Sequence, residues 1–139
     1  MENNQKTAYE TAAKELGERL VALYKKRFFP RDGKDFAEML FTAGVEAGSL
    51  IQAMSQLTDR ELKIETANEA LLQISRAEYI LGIMCSAKYY TASEAYDLKS
   101  YMVKVKDSLK ALLKNVQDAA RIRQARPFGS SNDGFDELV

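Results

Sequence analysis

Residues 64–90, IETANEALLQISRAEYILGIMCSAKYY, constrain the fold of this chain more than any other stretch. Apolar side chains recur here every third or fourth residue, which is the spacing of one face of an α-helix. They are Ile64, Ala67, Leu71, Ile74, Leu81 and Cys85. The second half is apolar on its other side as well, at Leu72, Tyr79 and Ile83. Because a helix that is apolar all round is a buried helix, this segment requires neighbours on several sides, from the same chain or from a second copy.

Three further amphipathic helices are predicted around this segment. Thr–Glu pairs with capping-box spacing open three of the four helices, at Thr7–Glu10, Thr58–Glu61 and Thr91–Glu94. Pro30 ends the first helix, residues 30–33 form a turn, and the second helix runs from about Asp35 to Leu57. The last helix continues towards Arg126. Short connections between such helices predict an all-α protein, an antiparallel up-down-up-down four-helix bundle over residues 1–126.

Residues 127–139, PFGSSNDGFDELV, have a different composition from the helices. They are rich in turn-forming and acidic residues, which predicts a flexible acidic C-terminal tail. Four apolar residues lie among these acids, namely Phe128, Phe135, Leu138 and Val139. They form either a short docking motif or a tail without a specific role.

Charge and cysteine content indicate the compartment and limit the classes of partner. The chain has 20 lysines and arginines against 20 aspartates and glutamates, so no net charge draws it to nucleic acid or to a membrane surface. Its single cysteine, Cys85, allows no disulfide framework within the chain. The N-terminus lacks the apolar core of a signal peptide, and no apolar run approaches the ~18 residues of a membrane span. We therefore expect a cytoplasmic protein with no membrane partner.

The sequence offers no support for catalysis. Without histidine, it has no Ser-His-Asp triad, Cys-His pair or histidine-containing metal motif, and it contains no phosphate-binding glycine loop. Glu61, Glu65 and Glu69, spaced by four on the outer face of the central helix, read as a solvated stripe. We expect no enzymatic activity, no cofactor and no metal.

Small and unusually placed residues suggest close helix contacts. Gly44 and Gly48 give the second helix a small-residue surface, although each glycine costs ~1 kcal/mol relative to alanine. With Leu72 and Ile83 they predict either tight packing inside one bundle or a subunit contact. Glu78 lies on the core face of the central helix, and we expect it to be a buried structural carboxylate. Its expected partner is a tyrosine hydroxyl, a backbone amide or an arginine, from this chain or another, with catalysis by a lone carboxylate as the alternative.

Two basic clusters are candidates for nucleic-acid binding. The first surrounds the first turn, and its candidates are Lys25, Lys26, Arg27 and Arg31. The second occupies roughly a quarter of the circumference of the last helix, with Lys99, Lys106, Lys110, Lys114 and Arg121. Either Asp107 and Asp118 pair with these cations on an ordinary surface, or the stripe contacts phosphates and an oligomer repeats it.

Several segments resemble a known group of four-helix-bundle proteins. Residues 70–81, ALLQISRAEYIL, are similar to the central helix of the proteins encoded in 23S ribosomal RNA intervening sequences. The turn 89–94, YYTASE, the stretch 109–114, LKALLK, and Phe29-Pro30-Arg31 are similar as well. The same superfamily includes the accessory variability determinant proteins of diversity-generating retroelements. The resemblance covers about residues 8 to 118 and consists of helix lengths and apolar spacing.

This resemblance implies a non-enzymatic bundle that assembles as a homopentameric ring. In the retroelement branch it also implies a basic surface that binds nucleic acid and a reverse transcriptase. Two functional hypotheses follow. The first is an accessory protein that binds RNA or DNA through the two basic clusters. The second is a protein-only interaction scaffold, whose charges serve solubility.

Overall fold

The computed structural model describes residues 8–26, 29 and 31–125, and these contain four α-helices and no β-strand. The helices are α1 (Ala8–Lys26), α2 (Arg31–Met54), α3 (Arg60–Ser86) and α4 (Ala92–Ala125). The predicted all-α class and the four helices are confirmed. The predicted tail at 127–139 and the cap residue Thr7 lie outside the described residues.

Helix α2 begins earlier in the chain than the sequence predicts. Helix α2 begins at Arg31, so residues 31–33, predicted as part of a turn, are helical. Gly33 is buried in this first helical turn, and a Cβ atom placed on it would lie only 2.7 Å from the Tyr89 ring. The glycine that resembled a turn signal thus allows close packing between α2 and the segment after α3.

The predicted N-terminal caps of α3 and α4 can be compared with the hydrogen bonds in the structure. At α4 the backbone N–H of Thr91 donates to the Glu94 carboxylate at 3.0 Å, and the N–H of Glu94 donates to the Thr91 hydroxyl at 3.1 Å. This reciprocal pair is the predicted capping box. At α3 the prediction is wrong by one residue, because the N-cap is Asp59, whose carboxylate accepts from the N–H of Glu61 at 3.2 Å.

Helix α3 ends at Ser86, short of the predicted boundary at residue 90. The N–H of Lys88 bonds to the carbonyl of Cys85 at 3.0 Å, and the N–H of Tyr89 bonds to the carbonyl of Met84 at 2.9 Å. These two bonds form a Schellman motif. Lys88 occupies the left-handed position of this motif, with φ 69°, where glycine is usual. Because this position holds a lysine and not a glycine, the sequence did not indicate that the helix ends here.

The core lies between four neighbouring helix pairs. Helices α1 and α3 each contact α2 and α4, and they do not contact each other. The contact between α2 and α3 is the most extensive of the four. Small side chains are buried on both of these helices, which lets the two backbones approach closely. They are Ala37, Ala43 and Ala47 on α2, and Ala67, Ala70 and Ala77 on α3.

No helix within the described ranges is both long and apolar enough to cross a membrane.

Candidate functional site

The predicted structural carboxylate, Glu78, forms an ion pair between α3 and α4. Lys106 Nζ donates to Glu78 Oε1 at 2.9 Å, and the two side chains are 26% and 14% exposed respectively. The other oxygen, Oε2, is buried and has no hydrogen-bond partner within the described part of the chain. Glu78 is therefore half-buried instead of fully buried. Its partner is a lysine, which corrects the prediction of a tyrosine hydroxyl, a backbone amide or an arginine.

This ion pair divides the basic cluster predicted on the last helix. Lys106 is engaged with Glu78, and Lys114 donates to Asp118 at 3.3 Å on an exposed face. Lys99 and Lys110 are exposed. The side chain of Arg121 lies outside the described residues. The continuous stripe that the sequence suggested is thus interrupted near its middle by a lysine turned towards the core.

The basic cluster near the first turn is only partly described. Lys25, at the end of α1, and Arg31, at the start of α2, are both exposed. Arg27 and the side chain of Lys26 lie outside the described residues. The structure therefore places two of the four predicted cations at the solvent-exposed ends of neighbouring helices.

A cationic cluster that the sequence did not indicate links α1 to α4. Arg19 Nη2 donates to the Tyr101 hydroxyl at 3.1 Å, and the guanidinium carbon lies 5.2 Å from the centre of the Tyr101 ring. Lys104 Nζ lies 4.9 Å from the same ring, and Arg19 Nε lies 3.9 Å from a carboxylate oxygen of Asp97. The hydrogen bond to Tyr101, followed by the Coulombic effect of the nearby groups, raises the pKa of Arg19 above its usual value. Tyr101 is half-buried, and its hydroxyl lies at this surface cluster.

The four residues predicted to form close contacts occupy different environments. A methyl group added at Gly44 would overlap Cδ1 of Leu20, so this glycine serves packing between α1 and α2 of one chain. A methyl group added at Gly48 would meet no atom within 4 Å. Leu72 is 64% exposed, and Ile83 is half-buried. Only Gly44 is therefore explained by packing within the described chain.

Two exposed surfaces combine apolar and charged side chains. The first, called here the α1 groove, lies along α1 and α2 and is lined by Lys14, Gly17, Glu18, Val21, Ala22, Lys25 and Val45. Its valines Val21 and Val45 are 39% and 44% exposed. This groove was not predicted from the sequence.

The second surface, called here the α3 ridge, follows the outer face of α3 at alternating spacings of three and four residues. Its members are Leu62, Glu65, Glu69, Leu72, Arg76 and Tyr79, and all of them are exposed. Tyr79 is 72% exposed. Among the described helices α3 contacts α2 and α4, and these leave its outer face uncovered. Of the two sources of covering that the sequence left open, a second copy stays a prediction.

Within the described residues, no group of three or more His, Cys, Asp or Glu side chains is placed to hold a metal ion.

Comparison with known proteins identifies a similar fold. No protein-family model matches the chain, and no curated protein matches it significantly. The chain is similar to a crystal structure of a protein of unknown function from the S23 ribosomal protein family of Bacteroides thetaiotaomicron VPI-5482. The TM-score is 0.67 at 21% sequence identity, and the match covers 76% of this chain and 98% of the other. The two proteins share a fold.

The similarity to this crystal structure is a similarity of fold. At 21% identity it concerns the arrangement of helices, and the function of the neighbour is itself unknown. Of the segments that resemble the ribosomal RNA intervening-sequence proteins, residues 70–81 lie in α3 and residues 109–114 lie in α4. Membership of that branch or of the retroelement branch stays a prediction.

Proposed function

We propose that this protein is a non-enzymatic scaffold, an antiparallel up-down-up-down four-helix bundle that assembles with copies of itself into a ring. One observation carries the proposal. A small chain with balanced charge exposes two separate mixed apolar and charged surfaces, the α1 groove and the α3 ridge. Exposed apolar side chains bordered by charged ones are characteristic of sites that bind other proteins.

Contacts between neighbouring helices support the antiparallel arrangement. Leu20 of α1 lies beside Gly44 of α2. Further along α1, Tyr24 donates to the Glu38 carboxylate at 3.2 Å. Residue numbers thus rise along α1 while those of its neighbours fall along α2, which is the relationship expected for antiparallel helices joined by a short connection.

The resemblance supports the ring and its subunit number. The intervening-sequence proteins and the retroelement accessory proteins are non-enzymatic bundles, and the resemblance to them implies a homopentamer. The structural neighbour comes from a family named for ribosomal proteins. We assign this chain to the same superfamily, and we place its function in protein contacts.

Nucleic-acid binding is the second candidate function. It is favoured by the exposed lysines Lys99 and Lys110 on α4 and by the exposed cations Lys25 and Arg31 at the helix ends. In that case RNA or DNA and a reverse transcriptase would be partners, as the resemblance to the retroelement branch implies. Lys106 is a weaker candidate than the sequence suggested, because a phosphate would have to displace Glu78 from its 2.9 Å ion pair.

Fluorescence anisotropy with a short RNA and a short DNA, each titrated with salt, separates the two functions. The scaffold predicts no binding at ~50 mM salt, where phosphate contacts are strong. Nucleic-acid binding predicts an affinity that falls with salt, with a log–log slope near −0.9 per duplex phosphate neutralised or about −0.7 per single-stranded phosphate. The variant Lys99→Gln/Lys110→Gln should then flatten that slope while its circular dichroism stays unchanged. Such a result would make the second function the correct one.

A further inference from the structure

We propose that the α3 ridge of one copy docks into the α1 groove of the next copy, with the two helices antiparallel. This inference rests on the proposed self-assembly and adds to it the two surfaces and their register.

The positions of the two surfaces favour a head-to-tail contact. Helix α1 contacts α2 and α4 but not α3, so the groove and the ridge lie on different sides of the chain. Each copy therefore offers one groove and one ridge. When two different patches of a chain bind each other, every subunit keeps one of each for its neighbours, and the contacts close into a ring if the rotation permits.

Charges along the two helices match in one direction. On α1, Lys25 and Glu18 are exposed and lie seven residues apart. On α3, Glu69 and Arg76 are exposed and also lie seven residues apart, which is about 10.5 Å along a helix. With the helices antiparallel, Lys25 faces Glu69, and Glu18 faces Arg76. A parallel orientation would place like charges opposite each other.

The within-chain contact of Glu18 does not prevent this pairing. Lys14 Nζ lies 3.9 Å from the Glu18 carboxylate, and both side chains are 66% exposed. An exposed i,i+4 pair of this length is worth only a few tenths of a kcal/mol. Glu18 can therefore exchange or share this partner when Arg76 of another copy approaches.

Side-chain sizes agree with the register that the charges set. At a rise of about 1.5 Å per residue, this register places Leu72 opposite Ala22, next to Val21. It places Tyr79 opposite Glu15, between Lys14 and Gly17. Leu72 and Tyr79 are 64% and 72% exposed, so both have most of their surface left to bury. A Cβ atom placed on Gly17 would meet no atom within 4 Å, which leaves room for an aromatic ring over this glycine. Large side chains of the ridge thus meet small ones of the groove.

These features identify the occupant of the groove as a second copy of this chain. Lys25 has no ion-pair partner among the described residues, and Glu69 of the ridge supplies one. Arg76 of the ridge supplies a cation for Glu18 at the same two-turn spacing. It is also apolar at the level where the groove is apolar. A ring formed in this way covers both exposed surfaces of every subunit.

Two arginine substitutions, one on each surface, test the proposal by light scattering coupled to size exclusion at micromolar concentration. Leu72→Arg blocks the ridge, and Val21→Arg blocks the groove. The matched control Tyr96→Arg replaces an exposed aromatic residue on α4, outside both surfaces. Circular dichroism checks folding, which all three variants should retain because the replaced side chains are exposed. We expect the wild type and the control to form the same multimer, and each blocked variant to be a monomer of about 15.6 kDa.

Mixing the two blocked variants gives the decisive result. A mixture still contains one intact ridge and one intact groove, so it should form a complex of twice the 15.6 kDa chain mass and nothing larger. Single reversals, Lys25→Glu or Glu69→Lys, should raise the dissociation constant by about tenfold, and both on one chain should restore it.

The possible failures have different meanings. A monomeric wild type would contradict self-assembly and with it this inference. A multimeric wild type that both blocked variants leave unchanged would overturn the inference alone, because assembly would then use another surface. A mixture that stays monomeric, or a single variant that keeps the full mass, would overturn the head-to-tail contact.

Discussion

Lys106 of α4 donates to Oε1 of Glu78 on α3 at 2.9 Å, and this pair joins two residues for which the sequence predicts different roles. The glutamate is predicted to be a structural carboxylate, and the lysine is a candidate for phosphate binding. Their contact favours a structural role for both. It also engages one of the five cations of the basic stripe of α4. This makes a protein scaffold a better candidate than a nucleic-acid-binding protein.

Glu78→Ala should lower the free energy of unfolding by about 1–3 kcal/mol. The expected loss is larger than for an exposed ion pair and smaller than for a fully buried charge left unpaired. It is intermediate because Lys106, which would lose its partner, keeps 26% of its side chain exposed. Chemical denaturation at one fixed protein concentration measures the change, since assembly makes stability depend on concentration. The double variant Glu78→Leu/Lys106→Met is the control and should recover most of the loss, because it leaves neither charge unpaired. A loss below ~0.5 kcal/mol for Glu78→Ala would show that the pair is not structural.

Gly44→Ala and Gly48→Ala should change stability in opposite directions. The added methyl group at Gly44 would overlap the buried side chain of Leu20, and overpacking of this kind costs about 1–3 kcal/mol. At Gly48 the methyl group meets no atom within 4 Å, so the higher helix propensity of alanine should stabilise the chain by up to ~1 kcal/mol. Thermal and chemical denaturation of both variants provide the comparison. Equal effects at the two sites would contradict the packing described for Gly44.

Lys88→Gly should stabilise the protein by about 1 kcal/mol, because Lys88 adopts a left-handed backbone conformation that glycine reaches without steric cost. Lys88→Ala is the matched control. It removes the same charge but keeps a Cβ atom in the strained position, so it should bring no comparable gain. If alanine stabilises the protein as much as glycine does, the effect comes from the lost charge and not from the backbone.

Local patterns were sufficient to predict the helices and much of the core. Thr91 and Glu94 predict the start of α4, and the structure contains the reciprocal hydrogen bonds between them. Ala67 and Ile74, on the predicted apolar face of α3, are fully buried. Such features depend on residues that are close in sequence, where spacing and capping chemistry determine the outcome.

Contacts between distant segments could not be predicted in the same way. Arg19 and Tyr101 are 82 residues apart, and no periodicity within one helix indicates that they meet. Lys106 became a phosphate candidate because its helix position alone does not reveal Glu78 on the neighbouring helix. Leu72 and Tyr79 were expected to be covered, since an apolar pattern does not say whether the covering surface belongs to the same chain.

The mass of the wild-type protein in solution decides whether this chain assembles with copies of itself. Sedimentation velocity over a micromolar concentration series would measure it, with native mass spectrometry to count subunits. We expect a closed multimer, a whole-number multiple of the 15.6 kDa chain with five as the expected number, whose mass stops growing as concentration rises. A single species of 15.6 kDa across the whole series would show that the protein does not self-assemble.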